Sequence, residues 1–460
     1  MREHQAMPVW QDWRVLVVGL GTLAVPLDSS VNVAFPEITR GFGLSIPQIQ
    51  WVVIVYMLAQ TSLMMVFGRL GDMVGHRRVF LAGSAWSVLA FVACAAAPTY
   101  GWLLAGRIAQ GVGAGLLLSC GAALAISLQP EAMRARVLGL YTMLYSLGFA
   151  LGPAIAGLLV ARFDWPAVFW FRAPIALAAF AASWALPAPP RPAAGERFDA
   201  AGAALLVLGI SMAVLAIDRL QHLADGAVWS VGAACIAAVA FFAFARQERR
   251  APQPLIELRF FAVPGFARLN LAAALVNLAC FAVLLLLPFY LARAAGLGAP
   301  AIGVMLACSA VGMVIASPLA GVMSSRAGSR ALARAGCIAM AAGLAVMAAA
   351  PPLAILAPAL LVQGFGQGLF QVAFLDIVTG TLPASARGVA GSLGMLTRTI
   401  GVVTGASVLT LMFQSFLGSG AGVSASAAFL AAFQGVFAVA AAIPAISAVT
   451  LIGRAPRYSA

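Results

Sequence analysis

The sequence predicts an all-α membrane protein: two six-helix bundles with two further helices inserted between them, fourteen transmembrane helices in all. Three observations carry this: apolar runs of crossing length along the whole chain, an internal repeat, and arginines sorted to alternate loops. The 460 residues are 63% hydrophobic and 9% charged, with a mean hydropathy of +1.01. So little polar surface cannot cover a soluble core, so the solvent for most of the chain is lipid. Lipid offers no partner for backbone amides, which leaves helices of ~20 apolar residues to cross a ~30 Å core.

Such runs fall near 13–35, 48–67, 79–97, 102–125, 137–160, 166–186, 200–217, 228–245, 265–291, 300–321, 331–349, 354–376, 388–413 and 428–452. The first keeps Asp28 inside it and no small-residue cleavage site follows, so it is expected to be a retained helix rather than a signal peptide. Shifted by 253 positions, the chain lies on itself without a gap across some eighty residues. Gly68, Gly75 and Arg77 fall on Gly321, Gly328 and Arg330, and Gln110, Gly111, Gly113 and Gly115 on Gln363, Gly364, Gly366 and Gly368. Pro130, Arg134, Gly148 and Gly152 fall on Pro383, Arg387, Gly401 and Gly405. Glycine and proline are hard to exchange on backbone grounds, so shared hydrophobicity does not explain the match. Crossings one to six therefore repeat as nine to fourteen, and seven and eight are an insertion. The expected organisation is a bundle over 1–186, a linker with the inserted pair over 187–263, and a bundle over 264–460. Segment 187–199 is expected as the exit from the first bundle, and Arg246 to Pro254 as the return linker.

The net charge of +13 is all arginine, since the chain has no lysine. That excludes a phosphate-loop lysine for ATP and a Schiff base. With a cytoplasmic N-terminus and an even number of crossings, 20 arginines fall in cytoplasmic segments and 4 in outer loops. Arg107, Arg172 and Arg398 lie inside helices. Adding or losing one crossing would destroy this bias, so both termini are expected on the cytoplasmic side. The basic charge is a topology signal and not a nucleic-acid footprint. The six cysteines are scattered singly and the three histidines dispersed, which points to no metal site.

Gly68-Arg69-Leu70-Gly71-Asp72-Met73-Val74-Gly75-His76-Arg77-Arg78 joins the second and third crossings, where Gly68 and Gly75 are expected to permit a tight turn. This run resembles the loop signature of the major facilitator superfamily, although a generic solvated turn would also account for it. Leu27 to Pro36, Arg107-Ile108-Ala109-Gln110-Gly111 and Gly148 to Gly157 resemble three more motifs, those of the fourteen-helix drug:proton antiporter family. The resemblance implies a fold of two rocking bundles. It also implies a latch at Gly68, Asp72, Gly75, Arg77 and Arg78, and an antiporter motif at Gly148, Gly152, Pro153 and Gly157. Ordinary small-residue packing is an equally valid reading of the last set. Asp164-Trp165-Pro166 departs from the family pattern, and Ser325 stands in the second copy where the first has Asp72.

Depth arithmetic is independent of the resemblance. Asp28 lies 15 residues beyond Trp13, about 22 Å from the cytoplasmic face at ~1.5 Å per residue. Arg107 lies 5 residues from Trp102 at the outer face, about 8 Å in, and so shares that depth. The second copy has Phe281 and Leu360 there. Asp28 is expected to carry a proton and contact cationic cargo, with Arg107 tuning it; the alternative is a permanent structural ion pair. Asn32, Gln60, Gln110, Tyr145, Phe281 and the stripe Gln363, Gln367 and Gln371 are candidates for the substrate cavity, the stripe equally for a helix contact.

The expected function is proton-driven efflux of amphipathic, cationic compounds across the cytoplasmic membrane. The proton gradient would be the energy source, with no cofactor and the protein acting as a monomer. The rival keeps the fold and changes the cargo to a specific neutral or anionic metabolite or a self-made antibiotic, imported or exported. An enzyme would need a clustered catalytic set, and the sequence offers none.

Overall fold

The computed structural model describes residues 13–130, 133–187, 199–219, 223–251, 265–381, 387–418 and 424–451. Among them all regular structure is helical. In chain order the helices are α1 (Trp13–Leu23), α2 (Ser30–Val33), α3 (Phe35–Phe42), α4 (Ile46–Ile49), α5 (Trp51–Val74), α6 (His76–Ala95), α7 (Tyr100–Ser127), α8 (Arg134–Phe163), α9 (Ala167–Trp170), α10 (Arg172–Ser183), α11 (Ala200–Arg219), α12 (Leu223–Glu248), α13 (Phe266–Arg293), α14 (Ala299–Ala327), α15 (Ser329–Ala348), α16 (Leu353–Thr381), α17 (Arg387–Gly418) and α18 (Ala425–Thr450). Twelve helical stretches among the described residues are long and apolar enough to cross a bilayer. The other two expected crossings, the sixth and seventh, correspond to the shorter apolar stretch Ala167–Ser183 and to the 20-residue helix α11, Ala200–Arg219. Residues 188–198 and 252–254 of the expected linkers, and the side chain of Ser325, lie outside the described residues.

The chain divides into two compact units. The first holds Met1–Val31 and Val55–Phe198; the second holds Asn32–Ile54 and Asp199–Ala460, and so includes the inserted pair α11 and α12. In the first unit α6 packs along α7, and α10 packs on α6 and α1, with Ala173 and Ala176 of α10 in one buried cluster with Ala24 and Phe91. In the second, α16 lies between α14 and α15, while α13 packs on α17 and α18.

The glycines matched by the repeat have a shared physical cause. On α7, a Cβ at Gly111 would meet Ala59 Cβ of α5 at 2.7 Å, and one at Gly115 would meet Gln60 O at 3.1 Å. Gly113, between them, faces Ser87 of α6. On α16 the same alternation recurs: Gly364 and Gly368 face α14, while Gly366 faces Met340 N of α15 at 2.7 Å. Without a hydrophobic drive between helices in lipid, bare backbones in close contact are what hold each set together.

Two expectations need correction. The first crossing is not one continuous helix: α1 ends at Leu23 and a 3₁₀ turn over Pro26–Ser29 leads into α2. Pro26 removes a backbone donor and sits at the start of that turn, whereas its repeat position is Ala279, inside the uninterrupted α13. Second, Gly68 is not in a turn. Helix α5 runs on through Val74, and the chain reverses only at Gly75, with φ 100°. Gly328 stands at the same repeat position with φ 79°, which explains why both copies keep glycine there. Gly75→Ala and Gly328→Ala are each expected to lower stability by ~1–3 kcal/mol, read as a fall in the thermal midpoint in detergent.

Candidate functional site

The break in the first crossing presents Asp28 to the interior of the first unit. Close packing against α8 fixes the break. A Cβ at Gly148 would meet Pro26 Cγ at 2.8 Å and Leu23 O at 2.9 Å, and one at Gly152 would collide with Ser29 Oγ. Ser29 Oγ donates to Pro26 O at 3.0 Å and to Phe149 O at 3.2 Å, tying the turn to α8. Pro153 and Gly157 are buried on the same helix, and α8 continues through Pro153 without ending. Gly148 and Gly152 therefore make the bed on which the acid-bearing turn lies.

Four donors converge on the Asp28 carboxylate. Arg107 Nη1 donates to Oδ1 at 2.6 Å and Nη2 to Oδ2 at 2.8 Å, a bidentate pair. Gln110 Nε2 donates to Oδ1 at 2.7 Å, and Arg172 Nη1 to the same oxygen at 2.7 Å. Gln110 Oε1 in turn accepts from Arg107 Nη1 at 2.7 Å. Arg107 lies over the Tyr56 ring, 4.2 Å from its centroid, and Arg172 lies 4.7 Å from Phe91 and 5.3 Å from Phe169. Both arginines are 0% exposed, while the Asp28 side chain is 14% exposed, so the carboxylate is the member of the cluster that reaches accessible space.

Asp28, Arg107 and Gln110, all singled out in the sequence, thus meet. Arg172 was not among the candidates, although it was counted inside a helix. The signal is in the sequence: it lies six residues, about 9 Å, past position 166 where its apolar run begins, much as Arg107 lies about 8 Å past Trp102. With it the cluster holds one carboxylate and two guanidiniums.

The other candidates are spread over both units. Gln60 is buried on α5 and Tyr145 half-buried on α8. Asn32 is buried in α2 and groups with the second unit. There Phe281, at the position matching Asp28, is 1% exposed and Leu360, matching Arg107, is 0% exposed, so the second copy is apolar where the first is ionic. Ser309 Oγ donates to Gln363 Oε1 at 2.7 Å, and Gln363 Nε2 donates to Cys280 Sγ at 3.4 Å and to Gln367 Oε1 at 3.3 Å. Gln363 is therefore a helix contact joining α13, α14 and α16, while Gln371 is half-buried one turn beyond Gln367. Asp376, on the same helix, accepts from Ser329 Oγ at the start of α15.

At the junction of α5 and α6 in the first unit, Arg77 Nη2 donates to Trp184 O at 2.6 Å, just past the end of α10. His76 Nε2 lies 3.5 Å from Asp72 Oδ1, Arg78 is exposed, and Gly68 packs loosely with Ser119 Cβ at 3.9 Å.

Two tests follow from this packing and charge count. Gly152→Ala is expected to destabilise by ~1–3 kcal/mol through overpacking, whereas Gly101→Ala, with open space around it, is neutral or better. Among cluster variants, Asp28→Asn strands two guanidiniums and is expected to lower stability most, by ~3–5 kcal/mol, read as the largest fall in the thermal midpoint. Arg172→Gln leaves a balanced pair and is expected to lower it least.

The profile of the Major Facilitator Superfamily matches residues 18–406 and again 269–460. The riboflavin transporter RibZ of Clostridioides difficile (strain 630) is 29% identical, over 88% of this chain and 88% of its own. The multidrug resistance protein Stp of Mycobacterium tuberculosis is 28% identical, over 88% of this chain and 76% of its own. A bacterial homologue of the human lysosomal transporter Spinster superposes with a TM-score of 0.73 over 96% of each chain at 17% identity, a likeness of fold. On the strength of the profile match, the chain belongs to the Major Facilitator Superfamily and is a multi-pass membrane transporter of small molecules, not an enzyme.

Proposed function

We propose that the protein is a proton-driven exporter of the fourteen-helix drug:proton antiporter type, working by alternating access in the cytoplasmic membrane with both termini on the cytoplasmic side. Its cargo is amphipathic and carries a positive or hydrogen-bond-donating group. It needs no cofactor beyond the proton gradient and acts as a monomer. The motifs over Leu27–Pro36, Arg107–Gly111 and Gly148–Gly157 support the subtype, as does the similarity to a multidrug resistance protein.

The observation that carries the reading is that Asp28 is surrounded by donors on every contact given for it. An ionised carboxylate only accepts, whereas a protonated one must also donate its O–H. Arg107 and Arg172 have no acceptor to offer, and Gln110 Oε1 already accepts from Arg107. A proton that joins Asp28 removes the charge that holds these donors and leaves at least one of them without its acceptor, which ties protonation to a change of conformation. With the cluster closed, the exposed carboxylate edge meets a cationic or donor group on the cargo, and the guanidiniums stay behind aromatic faces. In the open, protonated form the guanidiniums compete for the same space and repel that cargo, which is the sign an antiporter requires.

One observation favours a second reading. The cluster carries a surplus positive charge from Arg172, which weighs against the purely cationic cargo expected from Asp28 and Arg107 alone and suits a neutral or anionic metabolite. A panel of cationic, neutral and anionic compounds in everted vesicles separates the two. The first reading predicts that ethidium accumulates under an inward-acidic gradient, stops on uncoupling, and is lost at least tenfold in Asp28→Asn. Accumulation of anions alone, or ethidium transport unchanged in Asp28→Asn, contradicts it.

A further inference from the structure

The two guanidiniums on Asp28 are not equivalent. Arg107 has other holds: the Gln110 Oε1 acceptor at 2.7 Å and the Tyr56 ring face at 4.2 Å both survive if Asp28 loses its charge. Arg172 has only Val168 O, which accepts from its Nε at 2.9 Å, and two more distant phenylalanine faces. Its Nη2 is buried and makes no hydrogen bond. Arg172 also opens α10, directly after the break at Phe171 that separates it from α9. A cation there faces the positive end of the helix dipole, so its position depends on the carboxylate.

Both Nη1 atoms rest on the same Asp28 oxygen. Neutralising that oxygen leaves two like charges adjacent in a low-dielectric interior, and the less anchored one moves. The other titratable groups around the cluster are Tyr56 on α5, Cys94 on α6, in contact with Gln110 at 3.8 Å, and Tyr145 on α8, which interacts with Tyr56. No second carboxylate is among these groups to take over from Asp28.

We propose that Arg172 is the positioning residue that turns proton uptake into cargo release: when Asp28 is neutralised, Arg172 leaves the cluster and enters the cargo space, while Arg107 stays. The proposal rests on the exporter reading and deepens it. It assigns the antiport coupling to an arm on α10 that the second copy of the repeat is not needed to supply.

Asp28→Asn mimics the neutral acid, and the full-length protein in detergent can be probed without any cargo. Phenylglyoxal labelling followed by peptide mass spectrometry is expected to give at least a fivefold rise at Arg172 in Asp28→Asn, with Arg107 within twofold of native. A conservative Asp28→Glu control stays near native at both, and thermal unfolding verifies that each variant is folded. If Asp28→Asn does not fold, Asp28→Ser serves as the neutral variant. Equal labelling of both arginines, or no rise at Arg172, overturns the proposal. In everted vesicles, Arg172→Gln is expected to lose uphill ethidium accumulation at least tenfold, and Arg172→Lys to regain most of it. Full uphill accumulation in Arg172→Gln overturns the arm alone. Ethidium movement by the native protein that ignores the proton gradient overturns the exporter reading instead.

Discussion

A single carboxylate, held by two guanidiniums and an amide inside the first unit, is the interaction on which the rest of the account depends. A charge at this depth is tolerated only when it is paired and hydrogen-bonded. The pairing is dense: every contact given for Asp28 is a donor, and two of the three donating side chains are cationic. Such a site favours the ionised carboxylate while closed, and a proton taken there loosens the donors that close it. The same feature that stabilises it makes it a point where protonation and conformation are linked.

The surrounding fold can be understood as what is needed to hold that carboxylate there. Pro26 breaks the first crossing, and the break exposes backbone that must be satisfied and packed. The bare face of α8 at Gly148 and Gly152 admits the turn, and Ser29 fastens it to the Phe149 carbonyl. The second copy keeps the glycines, as Gly401 and Gly405, against an unbroken α13 with Phe281 where the acid would be. Packing was retained in both copies, and ionic chemistry lies in one. Close approach at these glycines is common to both halves, and only in the first does it lie against an acid-bearing turn.

Much of this was legible in the sequence because it follows from hydropathy, glycine spacing and depth. The crossings, the repeat and the pairing of Asp28 with Arg107 need only a rise per residue and a bilayer thickness. What escaped has identifiable causes. Arg172 stands in the sequence as one more helix-borne arginine, with no neighbouring motif to mark it, and only the fold brings it onto Asp28. Gly68 looked like a turn residue, yet nothing between it and Gly75 stops a helix, and only the positive φ of Gly75 does. The polar stripe of α16 gave its periodicity but not its partners; the Ser309 and Cys280 contacts that make Gln363 a helix joint come from distant parts of the chain.

The most direct test of the central claim counts protons at the moment of binding. Purified protein in weakly buffered detergent, acidic enough for the free carrier to hold its proton, is mixed with ethidium while an indicator dye follows the pH. Competition for one carboxylate predicts that binding releases protons in the native protein and none in Asp28→Asn. Equal release by both proteins would contradict it and assign the exchanged proton to some other group.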